Sequence, residues 1–240
     1  VMKFELETIP VWESYTEQEG CPICHLAETL EKRYVDFFLG GAVMAPEVRV
    51  EVNKKGFCPR HWVLLYSGKN KLGLSLMVRT HRDESEAEIE NLLSRLAGKA
   101  GSKQVDDACG RIEELTESCL VCDKMEHTLN NYRYTIAKLH QNEDEFRDAF
   151  LSSNGICRPH LPGLLRVAAS VLRGDAASTF FSALKDVQAE RAKEEAADLD
   201  TWIESFDYKA KEPLTEEQRR APARNIKRLS GAAPFAELSG

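Results

Sequence analysis

Cys21-Pro22-Ile23-Cys24 opens a pattern of possible metal ligands that continues at Gly56-Phe57-Cys58-Pro59-Arg60-His61. The same pattern returns as Cys119-Leu120-Val121-Cys122 and Gly155-Ile156-Cys157-Arg158-Pro159-His160. Each copy supplies three cysteines and one histidine, in the same order and at nearly the same spacing. A duplicated set of this kind predicts two Cys3His metal sites.

The spacing of the ligands suits a tetrahedral ion. Cys-x2-Cys lets two thiolates converge on one ion, and Cys-x2-His at a helix start puts two ligands on one face. Zinc accepts three sulfurs and one nitrogen, so we expect two Zn²⁺ ions, with an iron–sulfur cluster as the alternative. The Cys-x2-Cys of one copy could also pair with the Cys-x2-His of the other. We favour pairing within each copy, because each copy then holds a complete set.

Charge adds a second expectation about these sites. One zinc with three thiolates and a neutral imidazole carries a net charge of −1. Nearby arginines would offset that charge and orient the ligands. The sequence places candidates next to the ligands or at matching positions of the two copies: Arg49, Arg60, Arg147 and Arg158.

The hydrophobic periodicity is that of an all-α protein with two related helical halves, each organised around a Cys3His site. We expect a first repeat over residues 1–101 and a second over 102–208 that ends in a long helix. Residues 209–240 lose periodicity and are expected to be an irregular polar tail. Pro46 and the alternation of Val48, Val50 and Val52 predict a loop or short extended piece over residues 42–55.

Composition excludes several classes of protein. The net charge of −7 argues against a general nucleic-acid binder, because phosphate neutralisation needs clustered Lys and Arg. No apolar run is long enough for a membrane span, and no signal sequence is evident at the start. We therefore expect a cytoplasmic protein, in which seven reduced cysteines favour metal binding or catalysis over disulfides.

Other cysteines and histidines have plainer interpretations. Cys21-Pro22-Ile23-Cys24-His25 matches the attachment motif of c-type haem, but the second copy has Asp123 at the matching position. Cys109 reads as a spare thiol. His81, His127 and His140 lie among charged residues and are expected to be exposed.

The ordered motifs resemble a family. They comprise Thr8-Ile9-Pro10-Val11-Trp12, the paired Cys-x2-Cys and Gly-Phe/Ile-Cys-x2-His segments, and a closing Phe206-Asp207-Tyr208-Lys209. Together they are similar to an uncharacterised bacterial family of unknown function found mainly in anaerobic Gram-positive lineages. Ile156 stands where that family more often has Phe. The resemblance implies a soluble bacterial protein with two Cys/His clusters, and it implies no activity.

Complete four-ligand zinc sites are usually structural, whereas catalytic zinc keeps a position open for water. The chain has no His-Glu-x-x-His and no deaminase signature. We therefore expect a partner-binding or regulatory protein with structural zinc, which engages an unknown protein partner. A redox or iron–sulfur protein or enzyme of anaerobic metabolism is the alternative. A zinc hydrolase or transferase in which one ligand is displaced is a third.

Overall fold

The computed structural model describes residues 7–16, 20–98, 100–207 and 213–231. These residues are largely helical, and none of them lies in a β-strand, which confirms the all-α prediction. The described residues form one 3-10 turn, Gly41–Met44, and twelve α-helices: α1 Thr8–Thr16, α2 Pro22–Leu39, α3 Pro46–Lys55, α4 Pro59–Ser67, α5 Lys71–Gly98, α6 Ser102–Glu117, α7 Leu120–Asn142, α8 Asp144–Ser152, α9 Leu161–Val171, α10 Gly174–Glu204, α11 Glu216–Arg219 and α12 Ala221–Ser230.

The chain divides into two compact units. The central unit is Leu30–His127, and the terminal unit combines Val1–Thr29 with Thr128–Gly240. This division differs from the sequential one at residue 101 that the repeat suggested. Each unit contains segments from both copies of the repeat, because its boundaries fall inside α2 and α7.

The central unit packs around an aromatic and aliphatic core. Phe38 and Phe57 meet edge to face with ring centroids 4.9 Å apart, and Phe57 makes a similar contact with Trp62. Leu65, Met77 and Val121 are fully buried in the same cluster. Burial of each such side chain stabilises the fold by about 1.5–3 kcal/mol, so this core holds α4, α5 and the start of α7 in register.

Residues 42–55 correct the sequence prediction of a loop or extended piece. They form the 3-10 turn and then α3, which packs against α5. Pro46 is at the first helical turn, where its missing N–H costs nothing. Val48 and Val52 are four residues apart and turn inward, whereas Val50 is half exposed. The valines therefore follow helical spacing, and their alternation in sequence was misleading.

The terminal unit has its own aromatic core. Phe146 of α8 contacts Trp12 and Tyr15 of α1, with ring centroids 5.1 and 5.0 Å apart. Phe150 lies 5.5 Å from Phe180 of α10, which continues the cluster. These rings are almost completely buried except for Trp12. The core fixes α1, α8 and α10 around the segment that carries Cys157.

The expected irregular tail is helical where the structure describes it. Residues 209–212 and 232–240 lie outside the described residues, but α11 and α12 occupy most of 213–231. The Thr215 hydroxyl accepts a hydrogen bond from the Gln218 N–H and so caps α11. Helix α12 packs on α10, where Arg228 pairs with Glu195 at 3.0 Å. Because α12 contacts α10 through ion pairs, hydrophobic periodicity does not reveal this helix in the sequence.

Candidate metal centres

The eight predicted ligands gather in two clusters. Cys21, Cys24, Cys157 and His160 form the first cluster, which lies in the terminal unit. The second cluster belongs to the central unit and comprises Cys58, His61, Cys119 and Cys122. Within each cluster the four ligand atoms lie within 4.8 Å of one another, so each group could hold a metal ion.

This pairing overturns our preference for sites within each copy. Each cluster combines the Cys-x2-Cys of one copy with the Cys-x2-His of the other. The preference failed because both pairings use the same eight residues and complete two identical donor sets. Spacing along the chain therefore carried no information about which half-sites meet.

Helix starts place the ligands. Cys21 and Cys119 directly precede α2 and α7, so that Cys24 and Cys122 fall in the first turn of those helices. Cys58 is the N-cap residue of α4, which carries His61 in its first turn. Helix N-termini present a partial positive charge and free N–H groups, and both stabilise thiolates.

The second cluster has the distances of a four-coordinate site. His61 Nδ1 lies 3.2 Å from the sulfurs of Cys58 and Cys119 and 3.4 Å from that of Cys122. The sulfurs of Cys58 and Cys122 are 4.0 Å apart. Around a tetrahedral zinc with Zn–S bonds of about 2.3 Å, two sulfurs would be about 3.8 Å apart, and a sulfur and a nitrogen about 3.5 Å. The donor atoms thus fit a single ion of this kind.

The first cluster repeats this geometry. His160 Nδ1 is 3.2 Å from the sulfur of Cys157, 3.4 Å from that of Cys24 and 3.9 Å from that of Cys21. Cys24 and Cys157 hold their sulfurs 3.5 Å apart, and all seven cysteines are free of disulfides. Both histidines therefore turn Nδ1 toward the three sulfurs.

A left-handed glycine shapes the loop before each Cys-x2-His. Gly56 has φ 63° and Gly155 has φ 69°. An added Cβ would approach the His81 ring at Gly56 and the Gln188 side chain at Gly155, to 2.5 and 2.4 Å. Each long helix, α5 or α10, thus covers the glycine of its unit with one side chain. Only glycine suits both the φ angle and the close approach.

Further hydrogen bonds fix the two loops. In the central unit the N–H of Leu120 donates to the carbonyl of Gly56, and the Ser118 hydroxyl donates to that of Lys55. In the terminal unit Gln188 makes paired hydrogen bonds with the backbone N–H and C=O of Ile156, at 2.7 and 2.9 Å. Backbone groups next to the ligands are thus held by contacts that involve no ligand side chain.

A carboxylate contacts the histidine of the second cluster on the side away from the sulfurs. His61 Nε2 lies 3.2 Å from Glu31 Oε1, and Arg60 donates two hydrogen bonds of 2.8 Å to the two Glu31 oxygens. Such a carboxylate fixes the tautomer and ring orientation of a ligating histidine and makes it a better donor. The sequence reasoning included Arg60 but missed Glu31. The only indication of Glu31 in the sequence is its position, two helical turns after Cys24 on the same helix.

The other three arginines make their contacts elsewhere. Arg49 donates to the Leu76 carbonyl and the Thr80 hydroxyl, both at 3.3 Å. Arg147 donates to the His140 carbonyl at 2.9 Å, and the exposed Arg158 uses its backbone N–H to reach Arg228. A role beside a metal for Arg49, Arg147 and Arg158 stays a prediction without support from these contacts.

A family profile matches almost the whole chain. It is described as "Family of unknown function (DUF6062)", and it covers residues 2–236. The chain belongs to this family. It is also 23% identical over 159 residues to the "Uncharacterized 23.9 kDa protein in xynA 3'region" of Caldicellulosiruptor sp. (strain Rt8B.4), a match spanning 65% of this chain and 70% of the relative. No solved structure matches it significantly.

The ligand residues of the second cluster share protons, and this sharing shifts their pKa values. Burial would lower the pKa of His61, but hydrogen bonds with Cys119 and Glu31 outweigh it and raise the pKa to about 10. A hydrogen bond from Cys122 lowers the pKa of Cys119 to about 3, and the same bond raises the pKa of Cys122. Burial would raise the pKa of Glu31, yet Arg60 and His61 lower it to about 2.

The first cluster behaves in the same way. Burial disfavours the charged forms of both His160 and Cys21. Contacts with Cys157 and Cys21 nevertheless raise the pKa of His160 to about 9. Hydrogen bonds to Cys21 lower its pKa despite burial, whereas the bond to Cys157 raises the pKa of Cys24. Each cluster thus holds thiolate and imidazolium together, and a metal cation would displace the remaining protons.

Two histidines differ from the sequence prediction that they are exposed. His140 is only 2% exposed and packs edge-on against Phe150 and Phe180. His81 is half-buried, and its Nδ1 donates to the carbonyl of Asn53. Helical spacing from Leu129 and Ile136 would have put His140 on the buried face of α7. His127 is exposed, as expected, and Cys109 is exposed as well.

The length and apolar character of the helices test whether any of them could span a membrane. Among the described residues, no helix combines the length and the apolar character needed to cross a bilayer.

Proposed function

We propose that this protein binds two zinc ions, one in each Cys3His cluster, and that the ions hold the fold together. The observation that carries this is the convergence of four donor atoms within 4.8 Å in both clusters. Cys3His is a common donor set of structural zinc, and the distances fit a tetrahedral ion. Sites of this kind contribute directly to folding, because the unfolded chain has no preformed site.

The compactness of the clusters favours one ion over an iron–sulfur cluster. In a multi-iron cluster the protein ligands hold different irons, which places them farther apart than ligands of a single ion. Donor atoms within 4.8 Å of one another suit a mononuclear centre. A single iron in the same sulfur-rich site, and hence a redox protein, remains the second candidate, since tetrahedral sulfur ligation serves both metals.

Elemental analysis of protein purified without oxygen tests the metal. We expect two zinc ions per chain and a colourless solution. Iron, with visible charge-transfer absorption, would replace the zinc proposal by the redox candidate. Chelation should remove the zinc and cause loss of helical circular dichroism; a chain that stays folded without zinc would show that the ions are not structural.

We further propose that the role is binding or regulation of a protein partner in the cytoplasm. Four protein ligands per ion leave no coordination position for the water that catalytic zinc needs. Cobalt substitution tests this, because the d–d spectrum of tetrahedral Co²⁺ reports its ligands. We expect a spectrum that azide leaves unchanged. A spectral change with azide would reveal an open position and favour a hydrolase or transferase.

A further inference from the structure

The two clusters differ in what solvent can reach. In the second cluster Cys122 is exposed and Cys58 partly exposed, while Cys119 and His61 are each 3% exposed. The two accessible ligands are both sulfurs, and they are neighbours at 4.0 Å. One side of the second cluster is therefore an open pair of cysteine sulfurs.

The matching positions of the first cluster are closed. Cys24 corresponds to Cys122 in the repeat and is 9% exposed, and Cys157 corresponds to Cys58 and is 1% exposed. Only Cys21 and His160 are partly accessible there. A reagent that attacked Cys21 would find both neighbouring sulfurs buried. The clusters share a donor set but differ in the access of a small oxidant.

Access controls the oxidation of cysteine. Susceptibility follows thiolate character and exposure, and a second cysteine close by converts sulfenic acid to a disulfide. A cysteine that ligates zinc is a thiolate, and both sulfurs of the open pair are accessible and adjacent. The second cluster has each of these features.

We propose that the second cluster is a peroxide-sensitive zinc site, in which Cys122 is oxidised first and Cys58 then forms a disulfide with it. The first cluster keeps its zinc. This rests on the proposed function, since it requires zinc in both clusters. The oxidant class is hydrogen peroxide or an organic hydroperoxide.

The reaction balances in two steps. The Cys122 thiolate attacks one peroxide oxygen, breaks the O–O bond and becomes a sulfenic acid, while the leaving hydroxide takes a proton to form water. The Cys58 thiolate then attacks the Cys122 sulfur and displaces hydroxide, which becomes a second water. Two thiolates, one H₂O₂ and two protons give one disulfide and two waters. Zinc loses two of its four ligands and dissociates.

Oxidation would release the ion while the loop before Cys58 stays attached to the start of α7. The contacts of Leu120 with Gly56 and of Ser118 with Lys55 involve no cluster ligand side chain. Lys55 also pairs with Asp123. With the new disulfide, these contacts keep the start of α4 near the start of α7. Reduction would then restore a site ready to bind zinc again.

The test uses the full zinc-loaded chain carrying Cys109→Ser, which removes an exposed thiol outside the clusters. Hydrogen peroxide is added, released zinc is followed with a chromogenic chelator, and disulfides are mapped by peptide mass spectrometry. We expect one of the two ions to leave about tenfold faster or more than the other, with a Cys58–Cys122 disulfide. Cys21, Cys24 and Cys157 should stay reduced.

Matched variants separate reactivity from stability. Cys122→His gives a Cys2His2 set that still binds zinc, and its second cluster should become resistant to peroxide. Cys24→His, the equivalent change in the first cluster, should leave release from the second cluster unchanged. Equal release from both clusters, earlier release from the first, or wild-type release from zinc-loaded Cys122→His would overturn the inference. A chain without zinc before peroxide would instead overturn the proposed function, and this inference with it.

Discussion

Glu31 Oε1 lies 3.2 Å from His61 Nε2, on the side of the imidazole opposite the three sulfurs. The same carboxylate is held by two hydrogen bonds from Arg60. His61 therefore cannot turn its ring without breaking contacts at both nitrogens.

Glu31→Gln should weaken zinc binding at the second cluster by about 10–100-fold, because carboxylates behind a ligating histidine have effects of this size. Competition with a chelator of known affinity measures it. The first cluster should keep its affinity. Glu28→Gln, at an exposed position of the same helix, is the matched control. Equal affinities in Glu31→Gln and Glu28→Gln would show that the carboxylate does not support the ligand.

Paired substitutions test which half-sites meet. Cys24→Ser with Cys157→Ser damages only the first cluster, so this variant should retain one zinc. Cys24→Ser with Cys58→Ser damages both clusters and should retain none. Metal content of the purified variants decides the matter. The reverse result, with zinc kept only by the Cys24/Cys58 variant, would restore pairing within each copy.

Gly56→Ala and Gly155→Ala should each lower the free energy of unfolding by about 1–3 kcal/mol, because a side chain at positive φ is strained. The new Cβ would also displace His81 or Gln188. Chemical denaturation of zinc-loaded protein measures the loss. Gly98→Ala has open space and no positive φ, so it serves as the control. A loss in Gly98→Ala as large as in the other two would refute the conformational explanation.

His140 should make the terminal unit sensitive to acid. Burial, and then the charge of Arg147, lowers its pKa from 6.5 to about 4. The unfolded chain therefore binds the proton first as pH falls, and stability present above pH 6.5 is lost down to about pH 4. The full shift corresponds to about 3 kcal/mol.

Comparison with His140→Gln isolates this effect from the protonation of zinc ligands, which all variants share. Unfolding free energies at a series of pH values should fall more steeply between pH 6.5 and 4 in the wild type than in His140→Gln. His127→Gln, which changes an exposed histidine, should follow the wild type. Parallel curves for all three proteins would mean that His140 does not set the acid response.

The sequence predicted most helices because their buried faces follow helical spacing, as in α2, where Leu26, Leu30 and Phe38 are buried. The prediction failed over residues 42–55 because Val48, Val50 and Val52 fit both strand alternation and helical spacing. Packing of α3 on α5 favours the helix. The sequence did not predict helix α12, because the residues that it contacts on α10 are charged.

Ligand identity and ligand pairing differ in what the sequence can tell. Cysteine and histidine spacing identified all eight donors that cluster in the structure. Which donors meet depends on the path of the chain between them, and two exchangeable half-sites leave that path undetermined. Glu31 was missed for the same reason, since its contact with His61 exists only after α2 and α4 have packed.

The crossed pairing has a consequence for ancestry. A single copy of the repeat holds a Cys-x2-Cys and a Cys-x2-His that belong to different clusters. If the two copies descend from one gene, the one-copy ancestor lacked a complete site of its own in this arrangement. Two identical chains could have completed both sites by exchanging halves about a twofold axis. Fusion of the genes would then have turned a metal-linked homodimer into one chain and freed each site to change independently.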